Sequence, residues 1–188
     1  FVTGDSVAPT LSSSTPTDNA TGIGLNANIV LNFSENVDVE TGNILIKKTS
    51  DDSTFESIPV GNSKVTGTGG TAITIDPAGT FASSTGYYLV IPSTAFDDAA
   101  SNDYAGFSTK TILNFTSADS VAPTLASSSP ADNATGVAEG SNIVLTFSEV
   151  VDRESGNITI KKTSGNATVE VIAVTDSKIT GTGTNIIT

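Results

Sequence analysis

The sequence contains no cysteine, no histidine, no methionine and no tryptophan. Without cysteine there are no disulfides and no thiolate metal sites. The compartment stays open on that ground, because a module with an adequate core needs no covalent staple. Without histidine or cysteine the common nucleophile–base pairs are unavailable, and no enzyme is expected. Positive charge is also scarce: 8 Lys and Arg stand against 20 Asp and Glu, a formal net charge of −12. Phosphate binding needs clustered cations, so nucleic acid is not an expected partner. Anionic lipid surfaces are disfavoured for the same reason. No apolar run approaches the ~20 residues of a membrane helix, and no membrane insertion by this segment is expected. No signal peptide is visible, and the chain opens on Phe instead of Met, so it reads as a piece of something longer.

What is present points to strands. Hydrophobic residues make up 37% of the chain, yet mean hydropathy is +0.06, because Ser, Thr, Gly and Asn stand where Lys and Glu would be. Uncharged polar residues mixed with β-branched apolar ones suit strands and tight turns. The glycine clusters at 67–70 and 181–183 lack the Lys and following helix of a phosphate loop and read as turns.

The chain repeats itself without a gap. DSVAPTL at 5–11 recurs at 119–125, an offset of 114 residues. At the same offset NIVLNFSENVDVETGNILIKKTS (28–50) meets NIVLTFSEVVDRESGNITIKKTS (142–164), and SKVTGTG (63–69) meets SKITGTG (177–183). A repeat of this length is a tandem domain, not a short solenoid unit. Residues 1–7 therefore read as the tail of a preceding module and a linker. Residues 8–116 read as one complete module, 117–122 as a linker, and 123–188 as the N-terminal part of a second module. Phe1 aligns with Phe115 and Thr188 with Thr74, so further copies are expected on both sides. The second copy is completed by residues beyond this sequence, the favoured reading, or by another chain through donor-strand assembly.

Period-two alternation bounded by turn residues predicts strands at 10–14, 28–33, 43–49, 55–60, 63–66, 72–75, 87–91 and 110–115. Ile29, Leu31 and Phe33 share a face, as do Ile44 and Ile46, and Tyr87, Leu89 and Ile91. Ile143, Leu145, Phe147, Ile158 and Ile160 repeat the early set. No segment carries a helical period. Seven or eight short strands in about 110 residues predict an all-β fold of tandem immunoglobulin-like Greek-key β-sandwich modules, the second incomplete. Tyr87 is either a tyrosine corner or an ordinary core aromatic.

The order of motifs resembles a known family. An Ala-Pro linker precedes P-x-D-N-A-T-G, then N-I-V-L-x-F-S-E-x-V, G-N-I-x-I, a Tyr-containing strand, A-F-D-D-A-A-S-N and a closing strand. This resembles the bacterial Ig-like domains of S-layer proteins and large repetitive surface adhesins. The family often has Gly where this chain has Ser101. The resemblance implies a sandwich fold, an extracellular place on the bacterial cell surface or in secretions, and a structural role.

Acidic side chains are the only candidates for site chemistry. Greek-key topology places the loops 34–42 and 92–109 at the linker end of the module. Asp5, Glu35, Asp38, Asp97 and Asp98 then share one pole, flanked by Glu40 and Asp103. The second copy carries Asp119, Glu149, Asp152 and Glu154 there. Crowded carboxylates repel, and Ca²⁺, which takes six to eight oxygens, would relieve them. Ca²⁺ at each module junction is therefore one expectation, with Asp5, Glu35, Asp38, Asp97, Asp98, Asp119, Glu149 and Asp152 as ligands. The plain alternative is a solvated acidic surface. No EF-hand or nonapeptide calcium motif is present.

The leading functional expectation is a stiff spacer in an adhesin, contacting the neighbouring Ig-like modules of its own chain. The second is an S-layer or filament subunit that meets other copies laterally or end to end. The third is a glycan-binding accessory module, for which Tyr104 is the only candidate exposed aromatic.

Overall fold

The computed structural model describes residues 4–188. They form two units, one ending at Ser120 and one running Val121–Thr188. No helix occurs among the described residues. The expectation that Phe1 continues the closing strand of a preceding copy lies outside them.

In chain order the first unit contains β1 (Leu11–Thr15), β2 (Ala20–Ile23), β3 (Ile29–Val39), β4 (Asn43–Lys48), β5 (Thr54–Pro59), β6 (Val65–Thr66), β7 (Gly70–Ile75), β8 (Gly86–Val90), β9 (Phe96–Asp97) and β10 (Asn114–Ser117). One sheet has the order β1-β3-β7-β6, with β9 also on β3; the other has the order β2-β10-β8-β4-β5. Every pairing is antiparallel except β10 with β2. This is the predicted two-sheet sandwich.

Alternation places Ile29 and Leu31 of β3 and Ile73 and Ile75 of β7 on one inner face, all fully buried. Ile44, Ile46, Tyr87, Leu89 and Phe115 line the other. Burying each such side chain is worth about 1.5–3 kcal/mol, so these few positions carry much of the stability. Tyr87 anchors one end. Its hydroxyl accepts the Ala82 N–H at 2.9 Å. Its ring lies 4.7 Å from Phe81, 5.1 Å from Phe55 and 5.9 Å from Phe115. A buried tyrosine bonded to backbone just upstream is the tyrosine corner, one of the two readings of the sequence.

Several sequence expectations shift. β3 runs on to Val39 because β9 pairs with its far end, Asp38 opposite Asp97 and Val39 opposite Phe96. The strand predicted at 110–115 starts only at Asn114; Lys110 instead points its ammonium at Asp52, 3.0 Å away. β2 has no alternating signature and exists because β10 lies beside it. Tyr104 is buried and packs edge-on against Phe33, with ring centroids 5.1 Å apart, so it is no exposed platform.

The second unit contains β11 (Leu125–Ser129), β12 (Val144–Val151), β13 (Asn157–Lys161), β14 (Thr168–Ala173) and β15 (Thr184–Ile187). Its registers reproduce the first unit's at the repeat offset. Leu11 opposite Phe33 becomes Leu125 opposite Phe147, and Ile44 opposite Ile58 becomes Ile158 opposite Ile172. The turn glycines repeat as well. A Cβ at Gly67 would collide with the Ala72 carbonyl, and one at Gly181 with the Ile186 carbonyl. The packing does not repeat. Leu145 and Ile160 are half-buried where Leu31 and Ile46 are fully enclosed, and Ile143 is 48% exposed where Ile29 is at 0%.

Leu31→Ala is expected to destabilise the first unit by about 3 kcal/mol. Leu145→Ala should cost the second unit less than half as much, since less contact is lost. Amide hydrogen exchange, resolved unit by unit, measures both; equal losses would contradict the difference in packing.

Candidate functional site

The β3–β7 register shifts between Asn32 and Val37. Glu35 lies within that irregular stretch, which frees it from the pleat and aims it at the unit's end. β9 delivers Asp97 and, one residue on, Asp98. Asp5 arrives from the N-terminal segment. Carboxylate oxygens of Asp5, Glu35 and Asp98 all lie within 4.8 Å of one another. They border a concavity of about 310 Å³ with Asn36, Ala99 and Ala100.

Asp98 is the fixed member, only 5% exposed. Its Oδ1 accepts the N–H groups of Ala100 and Asn102, both at 2.8 Å, and its Oδ2 accepts the Asn102 amide at 2.8 Å. The hydrogen bonds from Asn102 hold the Asp98 carboxyl below its ordinary value. The turn closes through Ser101, which adopts a left-handed φ of 64°. Gly is at home in that conformation. The Asn102 side chain also reaches the Asp5 carbonyl at 3.4 Å, tying the N-terminal segment to the loop. Sequence reasoning did not select Asn102, although the spacing D-x-x-x-N in DAASN was its signal.

Burial raises the Glu35 carboxyl, and the charges of Asp5 and Asp98 raise it further. Asp97 forms a second set. Burial raises it first, and Asp103, Asp38 and Asp98 add to the effect. Asp38 and Asp103 are its pairing neighbours on either side. The predicted pole thus divides into Asp5–Glu35–Asp98 and Asp38–Asp97–Asp103. Asp119 belongs to the first unit, where its carboxylate accepts the Ser83 hydroxyl at 2.8 Å. Glu149 and Asp152 belong to the second. Asp152 accepts the Thr182 hydroxyl at 3.2 Å, as Asp38 does that of Thr68 at 3.2 Å. The position corresponding to Asp98 has no counterpart in residues 121–188.

Three carboxylates at such spacing fit one hard cation. Ca²⁺ ligands at about 2.3–2.6 Å leave neighbouring oxygens within about 5 Å of each other. The bacterial Ig-like domain family matches residues 5–117 and again 119–187. The chain belongs to that family. The crystal structure of an S-layer protein, rSbsC(31-844), is similar at 13% identity with a TM-score of 0.40, over 96% of this chain and 25% of that one. The chain thus spans about a quarter of the length of that protein. No curated protein matches it. In this Ig-like module the acidic cluster stands at the end where the chain enters, on the β3 irregularity and the loop after β9.

Because Glu35 titrates above its ordinary value, the native state binds more protons than the unfolded chain between the two values. Its charge therefore lowers stability as pH rises through that window, and the penalty is complete above it. In the presence of a chelator, Glu35→Gln is expected to raise the melting temperature at pH 7. The gain should vanish below about pH 4, where the carboxyl is protonated in both states. Thermal scans across that range check it; a gain that persists at low pH would mean that charge is not the cause.

Proposed function

We propose that the chain is part of an extracellular bacterial surface protein in which Ig-like modules, repeated in tandem, serve as stiff spacers. The observation that carries this is the repetition of strand register at a constant offset, joined through a very short tether. Ala118 donates to the Ile23 carbonyl at 2.7 Å, and Ser120 donates to the Ser83 hydroxyl at 2.8 Å. On the other side Thr124 donates to the Ser148 hydroxyl at 2.9 Å, and Ser148 to the Thr124 carbonyl at 2.8 Å. Only residues 121–123, Val-Ala-Pro, connect these anchored ends. Pro fixes its own φ and biases the residue before it to extended backbone, which limits bending there. Repeats of one architecture on short tethers add length without adding chemistry.

The absence of histidine and cysteine supports a non-catalytic role. The burial of Tyr104 removes the basis for a glycan platform. Chains carrying two, four and six modules, imaged by electron microscopy, should lengthen by a fixed increment per module. Lateral sheets or bundles in place of single rods would favour the lattice or filament reading.

Calcium belongs to the same reading. A cation held by Asp5, Glu35 and Asp98 would brace the N-terminal segment against the loop after β9. Calorimetric titration with Ca²⁺ should give heat and a higher melting temperature, both lost in Asp98→Asn. No heat and no rise in melting temperature would remove calcium and leave the spacer role standing.

A further inference from the structure

The motif P-x-D-N-A-T-G stands at 16–22 and again at 130–136, outside the acidic cluster. In the first module its aspartate grips the closing strand. Asp18 Oδ1 accepts the Asn114 main-chain N–H at 3.0 Å and the Asn114 side-chain amide at 2.8 Å. The Asn19 N–H donates to the Asn114 carbonyl at 2.8 Å. Beyond these bonds β2 and β10 run side by side, with Phe115 opposite Ala20 and Ser117 opposite Ile23, and Ala118 donates to the Ile23 carbonyl at 2.7 Å. The turn takes its shape from its own sequence. Asn19 and Asn133 both adopt a left-handed φ of 59°, a conformation asparagine tolerates. The side-chain amide of each donates to the preceding aspartate, at 2.7 Å to Asp18 and 2.9 Å to Asp132. That bond uses Oδ2 of Asp18 and leaves Oδ1 for the strand beside it.

Strand direction matters for a module held at both ends. The chain enters where Asp5 meets Asp98, in the loop after β9. It leaves at the other end: β10 is antiparallel to β8, with Thr116 opposite Gly86, and runs out past the start of β8. A pull on the entering segment passes along β1 to Asp18 and β2. A pull on the leaving segment draws β10 the opposite way. Because β2 and β10 are parallel, these pulls slide one strand along the other. In sliding, all the bonds between two strands stretch together. In peeling, they break one at a time and each break needs less force.

We infer that the Asp18–Asn114 contact is a tension latch, holding the entering and leaving segments of the module together against a pull along the tandem string. The inference rests on the spacer reading, because only a string held at both ends loads this pair. Asp18 and Asn19 are exposed, where hydrogen bonds add little to equilibrium stability. Under tension the rate of unfolding decides survival, so a latch shows in a lifetime more than in a melting temperature. Asp51 supplies the contrast. It is an exposed carboxylate that accepts the Ser53 N–H at 3.0 Å and the Ser53 hydroxyl at 2.7 Å. It lies in the turn between β4 and β5, which joins neither the entering nor the leaving segment.

The test stretches the intact 188-residue chain between its ends at constant tension. The first module is recognised by the length it releases, about 3.5 Å for each residue of 11–117. Asp18→Ala should shorten the module's lifetime about tenfold, the effect of losing two charge-assisted hydrogen bonds. Asn114→Ala removes the side-chain donor and keeps the main-chain one, and should shorten the lifetime about threefold. Asp51→Ala should change it by less than about twofold, as a surface substitution away from the loaded pair. Melting temperatures of the three variants should stay within a few degrees of one another. Equal lifetimes for Asp18→Ala and Asp51→Ala would overturn the inference, and so would the same shortening in all three variants. Either result removes the latch and leaves the spacer, whereas rods that fail to lengthen with added modules remove the spacer and leave these lifetimes to be read on their own.

Discussion

A β-sheet with one apolar face exposes that face to water unless a second sheet covers it, and every larger feature here follows from that constraint. In the first module the cover comes from far along the chain. Seven of its nine aromatic residues lie after residue 80. The front half supplies mostly aliphatic faces, Ile29, Leu31, Ile44 and Ile46, which have too little volume to close on one another. The back half supplies the bulk, with Phe81, Tyr87, Phe96 and Phe115 almost completely buried. The second unit shows the same front half, folded in the same local register but left open. Local pairing is therefore written in the front half alone, whereas closure is not.

The placement of charge follows from the same geometry. Inner faces exclude carboxylates, so acidic groups gather where strands become irregular or end. Glu35 can leave the pleat only because β3 slips register beside it. Asp98 tolerates burial because three N–H donors, two from backbone and one from Asn102, replace its water. The two groups pull in opposite directions: hydrogen bonds favour the ionised Asp98, and that fixed charge helps to disfavour ionisation of Glu35. A cluster of this kind stays under tension unless a cation or a proton joins it.

Most of the fold was legible because alternation is a local signal. β3, β4, β7 and β8 announce their faces through Ile29, Leu31, Ile44, Ile73 and Leu89 without reference to any partner. The elements that escaped are those made by a partner. β2 reads Ala-Thr-Gly-Ile and has no pattern of its own. β9 is two residues long, and β3 continues to Val39 only because β9 is there. Residues 111–113 alternate well enough to suggest a strand, yet Ile112 is 46% exposed and the pairing begins at Asn114. At the acidic end, topology grouped the right loops but could not divide them. Asp97 and Asp98 are adjacent in sequence, and successive side chains on extended backbone face opposite ways, so one meets Asp38 and Asp103 while the other meets Asp5 and Glu35.

The differences between the two copies show which positions the architecture holds fixed. Most inner residues are kept: Ile29, Leu31 and Phe33 recur as Ile143, Leu145 and Phe147, while Val65 becomes Ile179 and Phe55 becomes Val169. Rim residues drift. Asn36 becomes Val150, Asp52 becomes Asn166, and Val39 becomes Arg153. The last change is the most consequential. Val39 pairs with Phe96 of β9, whereas the Arg153 guanidinium turns to the carbonyls of Ile179 at 2.6 Å and Asp176 at 3.2 Å. Arg153 directly follows Asp152 in the chain, where the first module has the uncharged Val39 after Asp38. An arginine fixed by main-chain acceptors cannot swing away, so the anionic field there is weaker than at Asp38. The modules are equivalent in architecture and unequal in charge. Any cation attracted to these ends would therefore favour the Val39 copy over the Arg153 copy.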